Sequence, residues 1–206
     1  MVAAALVDVA FALQGRALPR DHRWALAGAL AEALPTLVED PRTSVHPVKL
    51  VQGSGEPALL SARSRLVLRV PRERTETVLA LAGHTIGVGG CELRVGEAQV
   101  RELLPHTTLY AHFVDAGEAD DADETRFLAA VSDELAGLGV RCTVVCGREQ
   151  HLRGPHQALL GYSLMLHGLR EASALRVLER GLGAHRLMGC GVFVPHKSAA
   201  AVGEID

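Results

Sequence analysis

A glycine-rich segment near the carboxyl end is the part of the sequence best suited to bind an anion. It reads GLGAHRLMGCG and has the spacing G-x-G-x5-G-x-G, with its glycines at Gly181, Gly183, Gly189 and Gly191. Glycine tolerates positive φ angles and close approach, so successive backbone N–H groups in such a segment can face the oxygens of a phosphate. Arg180, His185 and Arg186 add positive charge. The alternative interpretation is a glycine-rich turn that binds nothing.

The order of elements around this segment separates it from the common nucleotide-binding motifs. A dinucleotide fingerprint or a P-loop needs a strand before the glycines and a helix after them. Here a helical pattern precedes the glycines and a β pattern follows at residues 190–195. The order is therefore reversed, and both motifs are excluded.

Arginines form a second set of residues suited to phosphate chemistry. All but two of the 21 basic residues are arginine, the exceptions being Lys49 and Lys197. A guanidinium can hold a phosphate through two parallel hydrogen bonds. The candidates outside the glycine-rich segment lie on predicted strands and loops, and they are Arg63, Arg65, Arg69, Arg148 and Arg153. The alternatives are a solvated strand edge and a GC-rich genome, in which arginine codons are common.

The composition is that of a folded protein whose charge is unevenly distributed. Of the 206 residues 48% are hydrophobic, which excludes a disordered chain, and 3% are aromatic, so platforms for base stacking are expected to be scarce. The net charge is −3, but six of the 24 acidic residues fall between Asp115 and Glu124. Without those six the charge is −3 plus 6, or +3, so the remainder is mildly basic.

Cysteine, histidine and hydropathy patterns argue against a metal site or a membrane span. The four cysteines are dispersed, and no apolar stretch reaches the roughly 20 residues that a spanning helix needs. The ten histidines include no H-x3-H pair, and Cys142 and Cys146 are too isolated to indicate zinc. We therefore expect a reduced, cytoplasmic protein with no membrane partner, no metal and no cofactor.

The first half of the chain predicts the order βαββαβ. A strand over 4–13 is followed by a helix over 21–34, with Asp21 as its N-cap and Trp24 on its buried stripe. Further elements are expected as extended segments at 44–51 and 58–70, a helix from Pro71 to Leu81, and a strand or hairpin ending near Leu104.

The second half predicts the same order. Its elements are expected as strands over 107–114, 139–146, 156–167 and 190–195 and helices over 123–137 and 170–180. Two such halves predict an α+β protein of two tandem ferredoxin-like, RRM-like domains, 1–104 and 105–206. In each, an antiparallel sheet carries its helices on one face and leaves the other face for a partner.

Together these features resemble a known family. The glycine spacing, the following VFVP at residues 192–195 and the stretch LPRDHRWAL from Leu18 to Leu26 are similar to the RAMP superfamily. Within it, the chain resembles the CRISPR repeat endoribonucleases, the sixth Cas family, in their compact Myxan-type branch. The resemblance spans nearly the whole chain.

This resemblance implies a function. Such proteins cut each repeat of a CRISPR precursor transcript without metal, leave a 2′,3′-cyclic phosphate, and often stay on the crRNA 3′ hairpin within a Cascade-type complex. The implied partners are CRISPR repeat RNA and other Cas effector subunits. Two alternatives remain: a non-catalytic RAMP subunit that holds crRNA, and a tandem ferredoxin-like protein that binds small ligands or proteins.

The implied cleavage also names candidate catalytic residues. Attack of a ribose 2′-oxygen on the adjacent phosphorus needs a base, an acid and a cation. The family tends to keep its histidine around the first helix, where this chain has His22 and His46, with Lys49 three residues after His46 to stabilise the phosphate. The alternatives are a packing or capping role for His22 and an ordinary loop position for His46.

Overall fold

The computed structural model describes residues 4–53, 55–117, 123–153 and 158–196. Contacts divide the chain into two units. The first is Met1–Leu103 with Arg186–Gly189, and the second is Leu104–His185 with Cys190–Asp206. Part of the glycine-rich segment thus belongs with the first unit, and the predicted domain boundary after residue 104 stays a prediction.

The described residues form eleven strands, five α-helices and two 3-10 turns. The strands are β1 (Leu6–Gln14), β2 (Ala17–Leu18), β3 (Ser44–Val45), β4 (Ala58–Leu59), β5 (Arg65–Pro71), β6 (Thr85–Val88), β7 (Cys91–Glu102), β8 (Thr108–Asp115), β9 (Thr143–Arg153), β10 (Ala158–His167) and β11 (Val194–Pro195). The helices are α1 (Arg23–Ala33), α2 (Pro35–Val38), α3 (Thr75–Leu79), α4 (Glu124–Gly137) and α5 (Glu171–Arg180), and 3-10 turns cover Arg72–Arg74 and Arg186–Met188.

The main sheet of the first unit has the order β3-β5-β1-β7-β6, and every neighbouring pair is antiparallel. Alternation along β1 turns Val7, Val9 and Phe11 into the hydrophobic core, where they are fully buried. Asp8 therefore stands on the opposite face of the sheet. That face carries the candidate active site.

The second unit repeats this topology with the order β11-β8-β10-β9, again fully antiparallel. Its two long helices are amphipathic, and they bury apolar stripes that include Phe127 of α4 and Val177 of α5. Asp123 caps α4 by accepting a hydrogen bond from the Arg126 N–H. In both units the strands that correspond to βαββαβ are ordered 4-1-3-2, so the predicted fold of tandem ferredoxin-like halves is confirmed.

Several predicted elements of the first unit are shorter than expected. The extended segment at 44–51 keeps only Ser44–Val45 as a strand, because Pro47 has no N–H with which to continue the ladder. The segment at 58–70 is divided by a turn in which Ser64 N–H bonds the Ser61 carbonyl. Pro71 ends β5 and is the N-cap of the 3-10 turn Arg72–Arg74, so the predicted helix starts as a 3-10 turn and α3 begins only at Thr75.

The start of α1 also departs from the prediction. His22, not Asp21, is its N-cap, and no side chain caps the helix there. Trp24 is 46% exposed and lies outside the core. The buried stripe contains Leu26 and Leu30, and residues two apart on a helix face different directions, so Trp24 cannot share a face with Leu26. No helix among the described residues is long and apolar enough to cross a membrane.

Candidate active site

Three neighbouring strands of the first unit bring polar residues into one row. Arg69 of β5 is the register partner both of Asp8 on β1 and of Ser44 on β3. Partners directly opposite each other in an antiparallel sheet point to the same face. The row therefore lies on the face away from the hydrophobic core, with a carboxylate, a guanidinium and a hydroxyl side by side.

Asp8 and Arg69 form a bidentate ion pair. Arg69 Nε lies 2.7 Å from Asp8 Oδ1, and Arg69 Nη2 lies 3.0 Å from Oδ2. Arg69 is only 1% exposed. Burial on its own would raise the pKa of Asp8, but the contacts with His46 and Arg69 outweigh burial and hold the pKa of this carboxyl well below its usual range. Asp8 is consequently a fixed negative charge.

His46 follows β3 and joins this row. Its backbone N–H donates to the Val67 carbonyl at 2.9 Å, which fixes the residue at the end of the ladder. Its Nε2 lies 3.5 Å from Asp8 Oδ1, and this buried nitrogen makes no hydrogen bond within the described residues. The side chain is 12% exposed. Burial, assisted by the positive charges of Arg69 and Arg186, lowers the pKa of His46 below its usual value despite the opposing effect of Asp8. The imidazole is therefore neutral at physiological pH.

The glycine-rich segment contacts β3 and the residues next to His46. Arg186 Nη2 lies 3.4 Å from Ser44 Oγ. A Cβ placed on Gly189 would lie 2.8 Å from Pro47 Cδ and 2.9 Å from the Val45 carbonyl oxygen, so only glycine fits this contact. Gly189 thus packs on the two residues that flank His46. The close backbone approach expected of this segment occurs here against protein.

His22 supports the same stretch of chain by hydrogen bonds. Its Nε2 accepts from the Val48 N–H at 3.1 Å, and its Nδ1 lies 3.1 Å from the Pro19 carbonyl oxygen. The first contact requires a bare Nε2, so Nδ1 carries the proton and donates to Pro19. Burial is the main reason that the pKa of His22 is lowered. Because both ring nitrogens are engaged, the geometry favours a positioning role for His22.

Lys49 follows His46 by three residues in the sequence and is exposed. Its carbonyl accepts a hydrogen bond from Ser64 Oγ at 2.7 Å. Its ammonium has no ion-pair partner in the part of the chain that the structure describes. The structure therefore does not bring Lys49 and His46 into contact, and the phosphate-binding role of Lys49 stays a prediction.

Several N–H groups of the glycine-rich segment already have partners. Gly183 N–H donates to Glu134 Oε2 at 2.9 Å, Gly189 N–H to the Arg186 carbonyl at 3.0 Å, and Gly191 N–H to the Phe113 carbonyl at 2.7 Å. Only the partner of Gly183 is a negatively charged side chain. Among these glycines, Gly183 therefore offers the N–H that another anion can take by displacing a carboxylate.

His185 stands out within the same segment. It has a φ of 59°, the only positive φ of a non-glycine residue in the described ranges, and it is 44% exposed. Its Nε2 lies 3.6 Å from Oδ2 of Asp115, whose side chain is almost buried. Backbone strain of this kind concentrates at functional positions. The geometry is compatible with the predicted contact of His185 with RNA.

Comparisons with known proteins identify the family. A model of the Cas6 family, described as Cas6 Crispr, matches residues 7–198. The chain belongs to the Cas6 family. The CRISPR-associated endonuclease Cas6 of Myxococcus xanthus (strain DK1622) is 37% identical over 196 residues, which are 95% of this chain and 84% of that protein. The family predicted from the sequence is therefore confirmed.

Solved structures of Cas6 proteins share the fold. A CRISPR associated protein Cas6 superposes with a TM-score of 0.68 at 13% identity, covering 93% of this chain and 100% of that one. Thermus thermophilus Cse3 bound to an RNA that represents a pre-cleavage complex superposes with a TM-score of 0.51 at 16% identity, covering 92% and 98%. At such identities the likeness concerns the fold alone.

The arginines proposed for RNA binding in this Cas6 protein fall into three groups. Arg63, Arg148, Arg153 and Arg180 are exposed. Arg65 is half-buried and donates to the Ala62 and Ser64 carbonyls at 2.8 Å, so its guanidinium braces a turn. Arg69 is buried against Asp8 instead of lying on an exposed strand face with Arg63 and Arg65. The reason is its register, which places a carboxylate directly opposite.

Asp8 is the residue of this Cas6 site that the sequence did not reveal. It interrupts the apolar run AALVDVAFAL, and hydrophobic burial does not explain a carboxylate at that position. That anomaly is the only signal in the sequence. Its partner lies 61 positions away, so the pair becomes visible only once the strands are in register.

The glycine contacts predict unequal effects within one motif. Gly189→Ala forces a Cβ against Val45 and Pro47 at a φ of 76°, and we expect a loss of about 2–5 kcal/mol in the free energy of unfolding from strain and overpacking together. Gly183→Ala has a similar φ of 70° but its nearest neighbour is 3.4 Å away, so a loss of only about 1–2 kcal/mol is expected. Urea denaturation measures both. Equal losses would contradict the packing role of Gly189.

A second prediction distinguishes the effect of the His22 hydrogen bonds on stability from the effect of His22 protonation. His22→Leu leaves the Val48 N–H without its partner and should cost about 1–3 kcal/mol in unfolding free energy near neutral pH, whereas His22→Gln, which can accept that bond, should cost less. Because the pKa of His22 is lowered on folding, the unfolded chain takes up the proton first as pH falls below 6.5. The stability of the unmodified protein should therefore fall in that range.

As the pH falls from about 7 to 5, the free energy of unfolding should decrease less for both His22 variants than for the unmodified protein. Part of the decrease should remain in the variants, because folding also lowers the pKa of His46. Urea denaturation at several pH values provides the comparison. If His22→Leu is as stable as the unmodified protein at neutral pH, the positioning role is wrong.

Proposed function

We propose that this protein cleaves the repeats of CRISPR precursor RNA, with His46 as the catalytic residue of a metal-independent transesterification. Family membership and the endonuclease from Myxococcus xanthus support the reaction class. The observation that carries the proposal is the convergence on one sheet face of His46, the fixed charge of Asp8, and Arg186 from the glycine-rich segment.

The contact with Asp8 gives His46 a defined task. When Nε2 carries a proton toward Asp8, the lone pair of Nδ1 is left to accept one, in the manner of a carboxylate-oriented imidazole. His46 then takes the proton of the ribose 2′-OH. The 2′-oxygen attacks the adjacent phosphorus while the bond to the 5′-oxygen breaks, and the 5′-oxygen leaves with a proton from water. The products are a 2′,3′-cyclic phosphate and a 5′-hydroxyl.

Cations must balance the negative charge that builds up on phosphorus-bound oxygens. Arg186 stands beside Ser44 in the same row, and its guanidinium can donate to two oxygens at once. Lys49 is exposed and three residues from His46. We assign Arg186 to the scissile phosphate and Lys49 to the same or a neighbouring phosphate.

The RNA partner is a repeat hairpin held through its backbone. Exposed arginines are the groups suited to this contact, because A-form RNA is recognised mainly through shape, phosphates and 2′-hydroxyls. Arg148 and Arg153 lie on β9, the edge strand of the second sheet, and Arg180 precedes the glycine-rich segment. We propose that the protein keeps the crRNA 3′ hairpin after cleavage, joins other Cas subunits in a Cascade-type complex, and acts in the cytoplasm.

One observation favours a second candidate, a non-catalytic RAMP subunit that holds crRNA. The side chain of His46 is 12% exposed and its Nε2 is buried, so little of the ring is accessible to an RNA. Such a subunit would need the fold and the cationic surface but no histidine. The two candidates differ in the state of the bound RNA, which the enzyme cuts and the non-catalytic subunit leaves intact.

A cleavage assay in EDTA tests the proposal. Repeat RNA labelled at its 5′ end should be cut in a single turnover, and the labelled product should carry a cyclic phosphate. His46→Ala should slow cleavage by about 100-fold or more with little change in RNA affinity, as for loss of a general base. His84→Ala removes an exposed histidine of the same unit and should leave the rate unchanged.

The pH dependence gives an independent check. Because the pKa of His46 is lowered below 6.5, the cleavage rate should be level above that pH and fall only below it. Tight binding of intact RNA by the unmodified protein would favour the non-catalytic subunit. An unchanged rate for His46→Ala would remove His46 from the chemistry.

A further inference from the structure

One face of the second sheet gathers rings that the proposed chemistry does not use. Tyr110 and His112 lie two residues apart on β8 and therefore share one face, and His196 follows β11. The Tyr110 and His112 rings meet edge to face, with centroids 4.9 Å apart and planes at 84°. The Tyr110 and His196 rings are 5.5 Å apart and tilted by 48°. We call these three residues the ring cluster.

The strand register shows that the ring cluster lies on the face opposite the core. Leu109, Ala111 and Phe113 alternate with the cluster residues along β8 and are fully buried. Met165 of β10 is the partner of Tyr110, and Val145 of β9 is the partner of Met165. Val145 is 50% exposed, and His112 and His196 are exposed as well. This face of the sheet is therefore accessible.

The cluster is held in place by its own sheet. The Gln150 side chain donates to the His112 carbonyl at 2.9 Å, and the His196 N–H donates to the Thr108 carbonyl at 3.1 Å. Beside it, His167 Nδ1 and Thr108 Oγ1 are hydrogen-bonded at 2.8 Å. The rings thus start from a defined arrangement, which reduces the ordering cost of binding a planar ligand.

We propose that the ring cluster is a binding site for unpaired nucleobases of RNA. Planar rings on an antiparallel sheet are a surface on which bases stack, and stacking accepts any base because every base has a π face. None of the residues at positions 108, 110, 112, 143, 145, 165, 167, 194 and 196 is Asp or Glu. The acidic residue at the end of β8, Asp115, has an almost buried side chain beside His185, so the cluster itself does not repel a polyanion. In a chain with 3% aromatic residues, this concentration of rings distinguishes the face.

The proposal rests on the proposed function, because a repeat RNA supplies unpaired nucleotides beside its hairpin. It adds a contact that phosphate-binding arginines cannot provide. Arginine pairs with backbone charge, whereas the ring cluster responds to the presence of a base. The two contributions can therefore be separated with RNA that lacks bases.

The test compares two single-stranded probes. An oligoadenylate of about ten nucleotides and an abasic RNA of the same length carry the same charge but differ in bases. We expect His112→Ala and His196→Ala each to weaken oligoadenylate binding about tenfold and to leave abasic RNA unaffected. Both side chains are exposed, so neither change should affect folding. Fluorescence anisotropy gives the affinities, with His84→Ala as the matched control.

A second readout reports stacking directly. 2-Aminopurine in the oligoadenylate should be quenched by the unmodified protein and less by either variant, and Tyr110→Phe, which keeps the ring, should quench normally. Equal affinities of all proteins for oligoadenylate would overturn the proposal. So would concentration-dependent dimerisation abolished by His112→Ala without any effect on RNA, which would assign the face to a second copy of the chain. Cleavage of repeat RNA by the unmodified protein shows separately whether the proposed function holds.

Discussion

The bidentate ion pair between Asp8 and Arg69 is the interaction on which the candidate active site depends. A buried pair of this kind adds little net stability, because desolvation offsets most of the attraction, but removal of one partner costs about 3–5 kcal/mol. The main effect of the pair is therefore to fix the register of β5 against β1. Any slip of β5 against β1 would leave Arg69 buried without its carboxylate. With the register fixed, Asp8 Oδ1 is held where it can orient His46, and the guanidinium keeps Asp8 ionised.

The glycine-rich segment makes two kinds of contact, of which one supports this arrangement. Gly189 allows the backbone to pack on Val45 and Pro47, and this contact places Arg186 beside Ser44. Gly183 is exposed and holds the Glu134 carboxylate, an anion of the protein's own. One glycine-rich motif thus combines a packing requirement with an anion-binding one. The two requirements act on different glycines, so substitutions within one motif have different physical meanings.

The sequence predicted the fold because its signals are local. The predicted strand over 4–13 and the predicted helices over 123–137 and 170–180 each follow from a local pattern that needs no distant contacts. Its errors have two sources. Trp24 is apolar but lies off the buried stripe of α1, which is a matter of helical spacing. Arg69 looks like a surface cation but faces Asp8 across the sheet, which only tertiary structure reveals. The pairing of Asp8, Arg69 and His46 joins three distant stretches of chain, and no local pattern encodes it.

The two units share one topology but differ in the chemistry of the sheet faces that lie away from their hydrophobic cores. In the first, the register of β3, β5 and β1 aligns a hydroxyl, a guanidinium and a carboxylate beside an imidazole, which suits charge at a phosphate. In the second, the face has rings and no carboxylate at the corresponding positions, which suits a neutral planar base. An RNA presents both kinds of group at every nucleotide. A duplicated fold can therefore recognise phosphate with one copy and base with the other, since strand order leaves the side chains of that face free to differ.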